Sequence, residues 1–273
     1  MADKRVTPAR ADLAAAHLKG QVDVPRFVEG EKFSVRVGRA ALRVRPSDDA
    51  AQDSELLFGE SFTVYDRSKG WAWGQAASDL YVGYVKEDAL TAPLAGEARV
   101  SALMAPVFAH PDLKTPVRDV LPLNASVPVL GRDGDYVNIG SGFVHHRHLA
   151  AEVEKDFVAV AQRFLGVPYV WGGKTAAGLD CSGLIQTALQ AVGKAAPRDT
   201  DMMEKVLGEP ISIADVRRGD LVFWKGHMGV MLDAENLLHA NAFHMQVAAE
   251  PLREAVARIE TLVGPVTSVK RLQ

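Results

Sequence analysis

Residues 168–193 read PYVWGGKTAAGLDCSGLIQTALQAVG, and a change of character inside this stretch decides how the second half of the chain is read. Up to Asp180 it is rich in glycine, with Gly172, Gly173 and Gly178 marking a tight loop. From Ser182 onward Leu184, Ile185, Ala188, Leu189 and Val192 recur at helical spacing. The pattern predicts a loop that delivers Cys181 to the start of a helix over residues 182–192. Free N–H groups and the macrodipole at a helix N-terminus stabilise a thiolate. The same N–H groups can receive the oxyanion that forms when a carbonyl is attacked. A lone cysteine is also, in many proteins, an inert buried small residue. The polar neighbours Asp180 and Ser182 and the glycine loop put the two readings of Cys181 on level terms.

Working outward, EVEKDFVAVAQRFLG (152–166) places Val153, Phe157, Val160, Ala161 and Phe164 on one helical face. Beyond the central helix come short apolar segments, DLVFW, HMGVMLD, NLLHA and FHMQVA, and TLVGPVTSVKRL closes the chain with one more predicted strand. Helices followed by an antiparallel sheet predict an α+β domain over residues 151–273. His227 opens one of these strands and His239 lies near the end of the next, twelve residues on. If the strands pair, one imidazole can take the thiol proton while the other orients it and fixes its tautomer. A zinc site is the competing chemistry, but two histidines and one cysteine lack metal-ligand spacing. Ordinary structural roles for both histidines stay open. His244 alternates out of phase with His239 and reads as structural, and His145, His146 and His148 read as a solvated linker rather than a metal cluster.

The first half of the chain has a different rhythm. Residues 9–19, ARADLAAAHLK, read as a short helix within an N-terminal extension (1–29). From Glu31 short β segments take over, broken by Gly, Asp and Ser turns. LLFGESFTVYDRSKGWAWGQ with YVGYVKEDAL is echoed by VLPLNASVPVLGRDGDYVNIGSGFVHHRHL, an internal repeat that predicts two copies of one small barrel at 30–92 and 98–150.

Composition sets the outer limits. The 273 residues are 48% hydrophobic and 24% charged, which suits packed cores rather than disorder. With 31 Lys+Arg against 34 Asp+Glu the net charge is −3, so partners selected by a broad cationic surface, nucleic acid or anionic membrane, are not expected. A single cysteine excludes an intrachain disulfide and CxxC-type zinc sites. No signal-like apolar run stands at the start of the sequence, and no stretch approaches the ~20 apolar residues of a spanning helix. Together with the unpaired thiol, these features lead to the expectation of a cytoplasmic protein, with non-classical export as the alternative.

YVWGG (169–173), GLDCSGL (178–184), RRGDLVFW (217–224), GHMGVML (226–232) and LLHA (237–240), in that order, resemble the NlpC/P60 family of cysteine peptidases preceded by two bacterial SH3 (SH3b) modules. The resemblance implies two small all-β SH3-like barrels followed by an α+β papain-like catalytic domain. It implies a thiol hydrolase that cuts the amide between γ-D-glutamate and a diamino acid such as meso-diaminopimelate in peptidoglycan-derived peptides. By motif, Cys181 resembles the nucleophile, His227 the base and His239 the residue that orients it, with no cofactor and no metal. Asp180 and Ser182 match positions that hold the substrate amine and backbone. Tyr81 matches an aromatic at the cleft rim, although its loop lacks the usual Gly-Tyr-x-Gly-Trp form. Arg198 and Asp199 match a cleft-lining segment, with burial or a surface salt bridge as the alternative. A free L-alanine amine on the substrate would place the protein in cell-wall peptide recycling. The alternatives are a wall-binding or remodelling protein acting on intact peptidoglycan, and another thiol amidase or acyltransferase.

Overall fold

Alternating side chains build the N-terminal half of the chain: along Ser61–Ser68, Phe62 and Val64 are buried while Thr63 and Tyr65 are partly exposed. The computed structural model describes residues 3–272, and contacts divide the chain into two units, residues 1–151 and 152–273. In the first, a seven-stranded sheet runs in the order Gln52–Leu57, Arg39–Arg43, Val82–Lys86, Trp71–Ala76, Ser61–Ser68, Glu31–Val35, Leu90–Thr91. Its core is formed by Val35, Leu42, Leu56, Phe62, Ala72 and Val85, with Tyr81 buried among them. Residues 98–150 form a five-stranded sheet and a separate three-stranded sheet over a second core of Val100, Ala105, Val107, Leu121, Val137 and Val144.

Neither assembly is a closed barrel, which corrects the expectation of SH3-like barrels. The outer strands of the seven-stranded sheet, Gln52–Leu57 and Leu90–Thr91, do not pair with each other. The latter is two residues long, too short to complete a closing ladder. In the second assembly Val127 is followed by Pro128, which has no N–H to carry its ladder on towards Gly131–Asp133, and the strands part into two sheets. What stands is a β-rich N-terminal region and an α+β C-terminal one. The helix expected at 9–19 is also absent. Ala14–Ala15 pairs in parallel with Phe27–Val28, and only a 3₁₀ turn, Ala16–Leu18, follows. With Leu13, Ala14 and Ala15 fully buried, this extended pairing overrides the alanine preference for helix.

The second unit is a six-stranded antiparallel sheet in the order Glu209–Pro210, Ser268–Arg271, Leu221–Trp224, His227–Met231, Asn236–Asn241, Gln246–Pro251. Four α-helices accompany it: α1 (Phe157–Gln162), α2 (Cys181–Ala191), α3 (Thr200–Val206) and α4 (Leu252–Val263). Every residue of α2 except Gln190 is buried, as expected of a helix enclosed all round. It packs against α1 and the His227–Met231 and Asn236–Asn241 strands. Helix α1 starts later than its pattern suggested, where Asp156 caps the N–H groups of Val158 and Ala159, so Val153 is left exposed. Helices α3 and α4 were not anticipated. The order is therefore not helices and then sheet, because α4 lies between the last two strands. It buries Leu252, Ala255 and Ile259 against Val222, Trp224, Met231 and Leu237. The strand expected from Phe243 begins only at Gln246. Residues 243–245 are a turn, in which Asn241 Oδ1 accepts from the His244 N–H at 2.8 Å and Met245 takes φ 52°.

Candidate active site

Asp180 fixes the start of α2. Its Oδ1 accepts from the Gly183 N–H at 2.7 Å, the side-chain cap, and its Oδ2 accepts from the Gly172 N–H at 2.8 Å. Arg198 donates to both oxygens, at 2.9 and 2.5 Å, and to Ser182 Oγ at 2.9 Å, while Ser182 Oγ donates to Oδ1 at 3.3 Å. Asp180, Ser182 and Arg198 are all buried. A carboxylate offers about four lone-pair sites, and this one has five donors around it. The role expected for Asp180, receiving a substrate ammonium, thus has no unfilled acceptor to rest on. Its work is to tie the glycine loop to the helix, and Arg198 is buried in an ion pair with it rather than in the surface salt bridge offered as an alternative. Gly183 is required here, because a Cβ would lie 2.1 Å from the Gly173 carbonyl oxygen.

This scaffold presents Cys181 as the first residue of α2, only 6% exposed. Sγ lies 3.7 Å from Thr200 Oγ1, which α3 supplies from its first position. Burial and the neighbouring Asp180 charge push the thiol up to about 11, against the opposing pull of Thr200 and of the Met228 and Ser182 N–H groups. The Met228 N–H acts on the thiol directly, which places Sγ beside the residue that follows His227.

The histidines come together as strand geometry requires. His227 Nε2 is 2.9 Å from His239 Nδ1, and His239 Nε2 is 2.7 Å from Glu250 Oε1. Opposite His239 in the ladder stands Ala248, so Glu250, two residues on, shares its face and reaches it diagonally. Arg258 of α4 closes the chain with two bonds to the Glu250 carboxylate, at 2.6 and 2.5 Å. Burial, reinforced by the proximity of His239, lowers His227 to about 3. Burial likewise lowers His239 to about 4, despite the opposing hydrogen bond to Glu250. Both imidazoles are therefore neutral near pH 7. Burial also opposes the Glu250 charge, but the bonds from Arg258 and His239 outweigh it and hold the carboxyl below its usual range.

Residues 166–263 match the NlpC/P60 family, and residues 42–90 match the bacterial dipeptidyl-peptidase Sh3 domain. The C-terminal unit carries an NlpC/P60 domain. With a buried cysteine at a helix start beside paired histidines, it is a cysteine peptidase domain. One Sh3 module is supported, where two were expected. The chain is 25% identical over 235 residues to a γ-D-glutamyl-L-lysine dipeptidyl-peptidase of Bacillus cereus, covering 73% of this chain and 70% of that one. It is 28% identical over 131 residues to the protein of the same name from Bacillus subtilis, covering 42% of this chain and 44% of that one. A solved NlpC/P60 family structure from Bacillus cereus shares the fold with a TM-score of 0.74 at 19% identity, over 89% of this chain and 99% of that one.

Within the NlpC/P60 domain Asp199 is the half-buried residue preceding α3, and it makes no side-chain cap there. Tyr81 belongs to the other unit, where it packs in the first β core with 4% exposure. His244 meets the His239 ring edge-on, with centroids 6.4 Å apart, and bonds Asn241. Donor atoms of His239, His244 and Glu250 lie within 4.8 Å of one another, the one cluster of metal-ligating type among the described residues. Both ring nitrogens of His239 and both oxygens of Glu250 already have partners, so the cluster reads as a hydrogen-bond chain. Sequence reasoning missed Thr200, Glu250 and Arg258. Only a helical reading of LREAVARIETLV would have placed Arg258 over the sheet.

Proposed function

We propose that the protein is a dipeptidyl-peptidase that cuts the amide between γ-D-glutamate and a diamino acid, meso-diaminopimelate or L-lysine, in short cell-wall peptides with a free N-terminal L-alanine. The observation that carries the chemistry is the pairing of His227 Nε2 with His239, which leaves Nδ1 of His227 for the thiol. The two Bacillus relatives, named as dipeptidyl-peptidases acting on γ-D-glutamyl-L-lysine, support the substrate.

Near pH 7 the thiol and both imidazoles are neutral. The thiolate arises as the Sγ proton passes to His227, and it attacks the γ-glutamyl carbonyl carbon. Asp180 takes the N–H groups of Gly183, through its side chain, and Leu184, through its carbonyl, and the Ser182 N–H faces the thiol, leaving that of Cys181 to receive the oxyanion. The His227 imidazolium then protonates the departing amine. Water, activated by the same imidazole, releases the acyl group. Recycling of wall peptides in a reducing compartment suits a hydrolase whose nucleophile is its sole thiol.

The test compares L-Ala-γ-D-Glu-diaminopimelate and its L-lysine counterpart with their N-acetylated forms, for the wild type and Cys181→Ala. Hydrolysis of the free-amine peptides alone, abolished in Cys181→Ala, is the expected result. Equal kcat/KM on free and N-acetylated peptides would refute the dipeptidyl-peptidase reading.

A further inference from the structure

The chain His227–His239–Glu250–Arg258 has a direction, and its far end sets it. A carboxylate only accepts hydrogen bonds, and a guanidinium only donates. Arg258 engages both oxygens of Glu250 and is itself covered by the Phe243 ring at 4.3 Å, so the carboxylate is held in one orientation. Its Oε1, 2.7 Å from His239 Nε2, requires the proton of His239 to sit on Nε2. A neutral imidazole carries one N–H, so Nδ1 of His239 is a lone pair. That lone pair, 2.9 Å from His227 Nε2, requires His227 to donate through Nε2. Nδ1 of His227 is then the lone pair left over.

We propose that Glu250, pinned by Arg258, is a positioning residue that sets the direction of the hydrogen bonds through both histidines, so that His227 offers Cys181 an unprotonated Nδ1. This rests on the reading of Cys181 and His227 as the reacting pair. Because Arg258 offsets the Glu250 charge, the contribution is direction rather than net charge. An acceptor at position 250 is what matters, and a neutral one suffices. Glu250→Gln keeps an amide oxygen for His239 Nε2, whereas Glu250→Leu removes the acceptor and lets His239 populate either tautomer.

The experiment pairs kinetics with imidazole ¹⁵N NMR of the full chain near neutral pH. In the wild type, His227 and His239, assigned by single substitutions, should both be the Nε2–H tautomer. Protonation of His227 at Nδ1 would overturn the proposal, and this measurement needs no folded Glu250 variant and no substrate. Glu250→Leu should lower kcat about 10²-fold or more, in the direction of a base held in the wrong tautomer, with KM little changed. Glu250→Gln should stay within about tenfold of wild type. Glu250→Gln falling as far as Glu250→Leu, or Glu250→Leu retaining full kcat, would refute the directional role. Alkylation of Cys181 by iodoacetamide should fall in the same order. It reports on the pair even if the γ-glutamyl peptides prove not to be substrates, so the two readings fail separately.

Discussion

Arg198→Leu removes the guanidinium while keeping an apolar side chain in its place, and the structure fixes what is lost. The hydrogen bonds that go include those to Asp180 Oδ1 at 2.9 Å and Oδ2 at 2.5 Å, to Ser182 Oγ at 2.9 Å and to the Gly173 carbonyl at 3.4 Å. Asp180, 6% exposed, keeps its N–H donors but loses its counter-ion. Breaking a buried pair from one side costs about 3–5 kcal/mol, because the charge left behind is uncompensated. Asp180→Asn in the same chain removes that charge, so the double variant should be more stable than Arg198→Leu alone, with a coupling of about 1–3 kcal/mol across the cycle. Urea denaturation followed by far-UV circular dichroism reads this unit selectively, since all four α-helices of the described residues belong to it. The thiol carries a second signature. The Asp180 charge opposes the Cys181 thiolate, so Arg198→Leu should also slow alkylation of Cys181. A loss below about 1 kcal/mol with no coupling would show that the ion pair does not organise the start of α2.

Gly183→Ala should destabilise the same unit and reduce activity with it, since the new methyl would meet the Gly173 carbonyl at 2.1 Å; unchanged urea midpoints would refute the packing account. Thr200→Val removes the hydroxyl that favours the thiolate, so alkylation at fixed pH should slow by a few-fold, read as a rate with iodoacetamide. His227 and His239 are held neutral, at about 3 and about 4, whereas unfolding restores ordinary imidazoles near pH 6.5. The unfolded chain then binds more protons, so stability is full above about pH 6.5 and falls on acidification, by about 1.4 kcal/mol per pH unit for each histidine until its folded pKa is reached. Denaturation midpoints from pH 7 to 5 measure the slope. A slope unaltered in His239→Asn would refute the assignment.

The sequence by itself determined the parts whose signal is local. A glycine loop running into LIQTALQAV is helical because its apolar residues recur every three to four positions, so α2 and the place of Cys181 at its start were legible. The meeting of His227 and His239 was legible too, because their two strands are adjacent and antiparallel, paired at Val230–Leu238 and Met231–Leu237, which brings the two rings within side-chain reach. Tertiary structure decided the rest, because it depends on what is packed opposite. Asp180 looked like a free carboxylate beside the nucleophile, and only folding brings Arg198, eighteen residues on, to fill it. ARADLAAAHLK has the composition of a helix, but its apolar residues are buried in an extended pairing that no local pattern encodes. The β-rich character of the first half was visible, while closure of its sheets depends on the reach of edge strands, and the short Leu90–Thr91 strand and Pro128 end the ladders. Glu250 and Arg258 lay unmarked in a strand and an unread helix. Diagonal cross-strand contact and a helix laid over the sheet are what join them to His239, since donors and acceptors distant in sequence meet only once the fold has fixed register and crossing.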